Sequence, residues 1–169
     1  MLIVAKTLRD LRFSELMQVY EQSNLEAAGE RKDLPPMFAL QQVEQDHRQY
    51  LREVFFRTHG AHLCIWEEGG RYVSALRLEP YRDGLLLAAL DTAPACRRQG
   101  YGAALIRAVQ QLPGCGKIYS HVDKRNTASL RTHEKCGFRI LSDHAVYLNG
   151  SVDYRCHTLV YEMEHPCIT

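Results

Sequence analysis

Hydrophobic positions along the chain change period several times, and each change marks an element. Residues 2–5 are a short apolar run that reads as a first strand. Over residues 11–28, Phe13, Leu16, Met17, Tyr20, Ala27 and Ala28 fall on one broad side at helical spacing, and Gly29 ends the run. Pro35 and Pro36 keep the charged stretch 30–36 out of helix, since proline lacks a backbone donor and restricts the residue before it. A second helix over 38–57 carries Val43, His47, Tyr50, Leu51, Val54 and Phe55 as its stripe, suited to packing on a sheet.

Residues 61–67 and 71–79 are β-rich runs around Glu68-Gly69-Gly70, a hairpin signal. Arg82-Asp83-Gly84 then turns the chain into Leu85-Leu-Leu-Ala-Ala-Leu90, which has no polar residue and suits a strand buried on both faces. Leu105, Ala108, Val109 and Leu112 recur at i, i+3, i+4 and i+7, one face of a helix that Pro113-Gly114 terminates. Residues 117–122 form a strand reached through that helix, so it should run parallel to the strand at 85–92. The last segment, 138–148 and 151–163 around Asn149-Gly150, predicts a second hairpin with a type I′ turn. The pattern is that of one mixed α/β domain over residues 1–169, without repeat or linker.

Charge narrows the function classes. Lys and Arg total 21 against 20 Asp and Glu, so no global field draws the chain to nucleic acid or to a membrane. No apolar run approaches the ~20 residues that span a bilayer. The N-terminal apolar stretch turns charged at Lys6, unlike a secretory signal, which makes a cytoplasmic location the expectation. Cys64, Cys96, Cys115, Cys136, Cys156 and Cys167 contain no Cys-x-x-Cys spacing; they are expected to be reduced thiols with no structural metal.

The candidate chemistry sits at residues 91–105, Asp-Thr-Ala-Pro-Ala-Cys-Arg-Arg-Gln-Gly-Tyr-Gly-Ala-Ala-Leu, between the apolar strand and the next helix. Gly100 and Gly102 remove two Cβ atoms where helix-start N–H groups have no intrahelical partner, with Arg97 and Arg98 alongside. Free amides and the positive end of a helix dipole make a pyrophosphate site. A P-loop is excluded because no Lys-Ser or Lys-Thr follows the glycines, and a dinucleotide fingerprint because Leu105 stands where a small residue is needed. What remains is Arg97-x-x-Gly100-x-Gly102, which resembles the coenzyme A pyrophosphate loop of the GNAT superfamily of N-acetyltransferases, Gln/Arg-x-x-Gly-x-Gly/Ala. Residues 122–138, Val-Asp-Lys-Arg-Asn-Thr-Ala-Ser-Leu-Arg-Thr-His-Glu-Lys-Cys-Gly-Phe, resemble the strand and helix that end in Tyr-Glu-Lys-x-Gly-Phe in that family. The resemblance covers residues 71–163 and thins before them.

It implies the GNAT acyl-CoA N-acyltransferase fold: a mostly antiparallel sheet of about seven strands with about four helices, whose central parallel pair splays to admit the pantetheine arm. It implies acetyl-CoA as co-substrate and no metal. The implied cofactor contacts are Leu90, Asp91, Thr92, Ala93, Pro94, Arg97, Arg98, Gln99, Gly100, Tyr101, Gly102 and Ala103 at the loop, with Asn126, Ser129 and His133 from the later helix. The connection between the first two helices borders the acceptor pocket in the family, which nominates Asp33, Pro35, Pro36, Met37 and Phe38 as substrate contacts, with Glu79 from a strand end. The acceptor would be a primary amine of a small molecule, amino-acid derivative or peptide, attacking directly in a ternary complex. Members of the fold often pair as dimers, which leaves a homodimer open.

Acyl transfer to an amine needs a neutral nucleophile, donors for the oxyanion and a proton for the leaving thiolate. An amine of pKa ~10.4 is almost wholly protonated at pH 7, so a base or a desolvated pocket must help. The family draws oxyanion donors from backbone N–H groups, here at residues 90–92. Many members place a tyrosine acid seven residues after the helix-capping asparagine; that position is His133, whose pKa of ~6.5 suits proton donation. Tyr147 and Tyr154 are further candidates. For the base, Leu87 stands where histone-modifying members carry glutamate, which removes support for that acceptor class. Asp91, Glu79 and His121 remain open as bases. The loss of the usual tyrosine also keeps open a non-catalytic acyl-CoA-binding module.

Overall fold

The computed structural model describes residues 1–163. Among the described residues there are nine strands, seven of them in one central sheet, numbered in chain order: β1 (Leu2–Ala5), β2 (His62–Glu68), β3 (Arg71–Tyr81), β4 (Gly84–Thr92), β5 (Lys117–Asp123), β6 (Arg139–Ser142), β7 (Ala145–Val146), β8 (Val152–Asp153) and β9 (Cys156–Glu162). The order across the sheet is β1-β2-β3-β4-β5-β9-β6, while β7 and β8 pair apart as a short ribbon. All neighbours are antiparallel except β4 and β5. Five helices complete the chain: α1 (Phe13–Val19), α2 (Glu21–Gly29), α3 (Pro36–Glu53), α4 (Tyr101–Gln110) and α5 (Thr127–Lys135). The mostly antiparallel sheet and the parallel central pair are both present, with one helix more than expected before β2 and the last hairpin divided into four strands.

Two cores lie on opposite faces of the sheet. Leu105, Ile106 and Val109 of α4 pack on Leu76, Leu78, Leu87, Ile118 and Leu159. On the other face Leu16, Met17 and Val19 of α1 and Leu51 of α3 pack on Leu63, Ile65 and Ala75. Alternation along β3 explains the division: Leu76 and Leu78 meet the α4 side, Ala75 and Arg77 the side of the N-terminal helices, and a register shift before Ser74 puts Tyr72 on that second side as well.

Three local differences from the sequence pattern have physical causes. The single helix expected over 11–28 is two, because Tyr20 leaves helical geometry (φ −90, ψ 12). Its ring is buried and its hydroxyl donates to the Ala89 carbonyl at 2.9 Å, a tertiary bond that overrides helix propensity on both sides. The type I′ turn forms at Gly69-Gly70 (φ 56 and 79), not at Asn149-Gly150, where only Gly150 is left-handed (φ 81). There the Gly150 N–H closes on the Tyr147 carbonyl and Asn149 Oδ1 accepts from the Ser151 N–H, giving a three-residue turn with a glycine bulge. The strand expected over 138–148 breaks after Ser142, whose hydroxyl contacts the His144 ring, and β7 leaves the sheet.

Between β4 and β5 the ladder is short. It holds Leu85↔Ile118, Leu86↔Tyr119 and Leu87↔Ser120, and then stops, although β5 continues against β9 as far as Asp123↔Cys156. The reason is on β4: opposite β3 the register jumps from Ala88 to Asp91, and Ala89 is left-handed at φ 50. Such a bulge bends one strand away from its neighbour. The splayed pair that the family resemblance implied is therefore built.

Gly84 begins this pair, and a Cβ there would lie 2.5 Å from the Lys117 carbonyl oxygen. Gly84→Ala should cost about 1–3 kcal/mol in denaturant unfolding, as overpacking does. Gly116→Ala, with open space at its Cβ, should change stability by no more than about 0.5 kcal/mol.

Candidate active site

The loop leaving β4 is pinned by its own side chains. Asp91 Oδ1 accepts from the Thr92 N–H at 2.8 Å and from Arg97 at 3.2 Å, while Oδ2 accepts from the Ser23 hydroxyl of α2 at 2.6 Å. Arg97 Nε donates to the Thr92 carbonyl at 3.1 Å, and Ser74 Oγ donates to the Asp91 carbonyl at 2.7 Å. Pro94 opens a 3-10 turn, and the chain reaches α4 through left-handed Arg98 and Gly100 (φ 62 and 86). No acceptor among the described residues takes the N–H groups of Tyr101, Gly102 and Ala103. The nearest atoms a Gly102 Cβ would meet are Thr92 Oγ1 at 3.6 Å and Thr132 Cγ2 at 3.9 Å.

These amides face a cleft of about 650 Å³ between the loop, α4 and α5. Of the sequence-predicted cofactor contacts, Leu90, Asp91, Thr92, Arg97, Arg98, Gly100, Tyr101, Gly102, Ala103, Asn126 and Ser129 line it. Ala93, Pro94 and Gln99 do not line it; they shape the loop, with the Ala93 N–H on the Val73 carbonyl and Gln99 Nε2 on the Ala95 carbonyl. Lys135 and Thr132 join the lining without having been expected. Arg98 and Lys135 carry no ion pair among the described residues, so their charge is available to a ligand. Asn126 caps α5 by accepting the Ser129 N–H at 3.0 Å. Uncovered amides, a helix N-terminus and two unpaired cations fit a pyrophosphate.

His133 is not in the cleft. It is 1% exposed, on the inner side of α5, edge-on to Phe138 with ring centroids 5.0 Å apart. Its Nδ1–H donates to the Ser129 carbonyl at 2.8 Å, Nε2 has no partner, and burial holds its pKa below the usual imidazole value. A neutral, enclosed ring fills the core where the family's longer tyrosine extends a hydroxyl. Tyr147 meets the His121 ring edge-on, and Tyr154 is exposed on the β7–β8 ribbon. Both His121 ring nitrogens are buried without a partner.

A second cavity, of about 410 Å³, meets the cleft at Ser23, Leu90 and Asp91. Its other walls are Tyr20, Asn24, Asp46, His47, Tyr50, Arg77 and Ala89. None of the proposed substrate contacts lines it. Asp33 is exposed, Met37 and Phe38 are 81% and 62% exposed, and the segment they share lies outside both cavities. Pro35 and Pro36 instead start α3, whose first turn tolerates a missing N–H. Glu79 stands beside the cavity rather than in it, 3.6 Å from Arg77 Nε. Tyr20, His47 and Tyr50 stand on the apolar stripes of their helices in the sequence, where their polar tips are the signal of a lined cavity.

Residues 18–138 match the Acetyltransferase (GNAT) family, and the chain belongs to it. It is similar to the aminoglycoside N(6')-acetyltransferase type 1 of Serratia marcescens, 34% identical over 109 residues, or 56% of this chain and 73% of that protein. Among solved structures it resembles the PaiA N-acetyltransferase of Thermoplasma acidophilum in complex with coenzyme A, with TM-score 0.66, 12% identity and coverage of 96% and 99%. It also resembles YncA of Salmonella typhimurium with acetyl-CoA, with TM-score 0.59, 14% identity and coverage of 100% and 98%. At such identities the likeness is one of fold. Among the described residues no helix is long and apolar enough to cross a membrane.

Burial, with the Arg77 charge adding to it, lowers the His47 pKa to about 4. Unfolded histidine binds its proton near pH 6.5, so between the two values the unfolded chain holds more protons and stability falls as pH falls. Acidifying from pH 7 to pH 4 should remove on the order of 1–3 kcal/mol through this residue. Urea midpoints across that range should depend less on pH in His47→Gln.

Proposed function

We propose that this acetyltransferase moves the acetyl group of acetyl-CoA onto a primary amine of a small molecule, by direct attack within a ternary complex. The carrying observation is that two cavities of different character meet at the bulged end of β4, one walled by open amides, the other by aromatic and charged side chains. Acetyl-CoA supplies the acyl carbon; the nitrogen of the neutral amine bonds to it, the carbon–sulfur bond breaks, and the proton the nitrogen then sheds passes to the thiolate, which leaves as coenzyme A.

The chain's own groups divide the work. The N–H groups of Tyr101, Gly102 and Ala103 hold the diphosphate, with Arg98 and Lys135 balancing its charge. Beyond Leu87 the edge of β4 is unpaired toward β5, so backbone donors of residues 90–92 are the nearest for the oxyanion, although the Thr92 N–H already serves Asp91. Among the described residues, Asp91 is the one carboxylate that borders both cavities. Its Oδ2 accepts one protein bond and has a further lone pair to orient the incoming ammonium and take its proton, directly or through water. His133, closed off from the cleft, packs α5 in place and donates no proton to the thiolate.

Incubation with acetyl-CoA and a panel of primary amines should release free thiol; coenzyme A binding with no release from any amine would leave only a binding module. Arg98→Glu should weaken coenzyme A binding about tenfold or more, or about 1.4 kcal/mol, by titration calorimetry, with an unchanged melting temperature. His133→Ala should lose about 2–4 kcal/mol of stability while turnover per folded molecule stays within about twofold.

A further inference from the structure

The second cavity contains a cation, Arg77, that is ion-paired and stacked but makes no hydrogen bond within the described residues. Arg77 projects from β3 on the face of α3, its side chain 21% exposed, with its guanidinium 4.9 Å from the Tyr50 ring centroid and 5.8 Å from that of Phe55. Among the described residues no acceptor takes a hydrogen bond from it. Its Nε is buried with no partner, and the nearest carboxylate oxygen, Glu79 Oε1, is 3.6 Å away, beyond hydrogen-bond reach. The rest of the guanidinium opens on the cavity that Arg77 lines. Buried guanidinium groups are ordinarily satisfied in pairs or networks, and one left open calls for a partner from outside.

Glu79 is at ion-pair distance without hydrogen bonding to it, and the two carboxylates that line the cavity already have protein partners. Asp46 accepts from Arg31 and from Gln42, and Asp91 from Ser23, Thr92 and Arg97. His47 contributes no charge at neutral pH, being depressed to about 4. An ammonium placed deep in this cavity would meet the guanidinium as a like charge, whereas a carboxylate would meet a planar fork that binds it through two parallel bonds. Position along the strand adds a length. Arg77 pairs with Ala88, immediately before the bulge at which the cavity joins the cleft. An anion on Arg77 and an amine beside Asp91 can therefore belong to one compact molecule.

We propose that the acceptor is a small amino-carboxylate, an amino acid or a molecule of that kind, and that Arg77 is the specificity-determining residue that reads its carboxylate. This rests on the acetyl-transfer reading above, and it disfavours a polycationic acceptor.

The experiment compares free amino acids, their carboxamides, a polyamine and an aminoglycoside on the intact chain, by thiol release and by the melting shift each causes with coenzyme A present. Amino acids should exceed their carboxamides by about tenfold or more in kcat/KM and should alone raise the melting temperature. In Arg77→Gln the preference should fall to near unity, through a raised KM for the acids; Arg77→Lys, which keeps charge without the fork, should fall between. Coenzyme A affinity, measured separately, reports whether each variant is folded. Equal use of acids and carboxamides, preference for the polyamine or the aminoglycoside, or a preference for acids that survives Arg77→Gln in a variant that still binds coenzyme A would overturn the inference and leave acetyl transfer standing. If no amine is turned over, a melting shift by amino acids that Arg77→Gln abolishes would still establish the anchor while the transfer reading fails. No shift and no turnover would overturn both.

Discussion

The left-handed turn of one alanine holds this site open. A non-glycine residue at φ 50 is unfavourable by roughly 1–2 kcal/mol, so the surroundings must fix Ala89 there. They do so from both sides: the Tyr20 hydroxyl takes the Ala89 carbonyl, and Ser74 takes that of Asp91 two residues on. If Ala89 relaxed to ordinary strand geometry, β4 could continue along β5 beyond Leu87. The edge that now faces the cleft would be consumed in ladder bonds, and the two cavities would be separated.

Electrostatics then assign the two sides different guests. On the α4 side the donors are backbone amides with Arg98 and Lys135 nearby, an arrangement that suits a diphosphate and makes little demand on side-chain shape. On the α3 side the groups include two phenols, an imidazole, a guanidinium and two carboxylates, which discriminate by position. Asp91 stands between them, tied to α2 through Ser23 and to the loop through Thr92 and Arg97. A shift of α2 would thus be felt at the coenzyme loop.

Legibility in the sequence followed the range of the interactions. The glycine loop, the Asn126 cap and the Gly69-Gly70 hairpin depend on neighbours a few residues apart, and the parallel strand after α4 on a general rule of connection, so each could be read directly. Tyr20 could not, because the partner that breaks its helix is 69 positions away. Arg77 and Glu79 alternate with Leu76 and Leu78, a pattern that ordinarily means a solvated face; only the placement of α3 over that face encloses the guanidinium. Asp33, Met37 and Phe38 were nominated through the family's loop geometry, and this loop lies away from the cavities. His133 was nominated through a position occupied by tyrosine elsewhere, but an imidazole is too short to leave the core from that turn.

Most of the second cavity comes from the first third of the chain, through Tyr20, Ser23, Asn24, Asp46, His47 and Tyr50, whereas the larger cleft is walled mostly by residues 90–135, joined by Gln22, Ser23 and Glu26 of α2. The two are joined at few points. Substitutions in α3 can therefore change which amine fits while the acyl donor stays the same, whereas changes in α2 reach both sides.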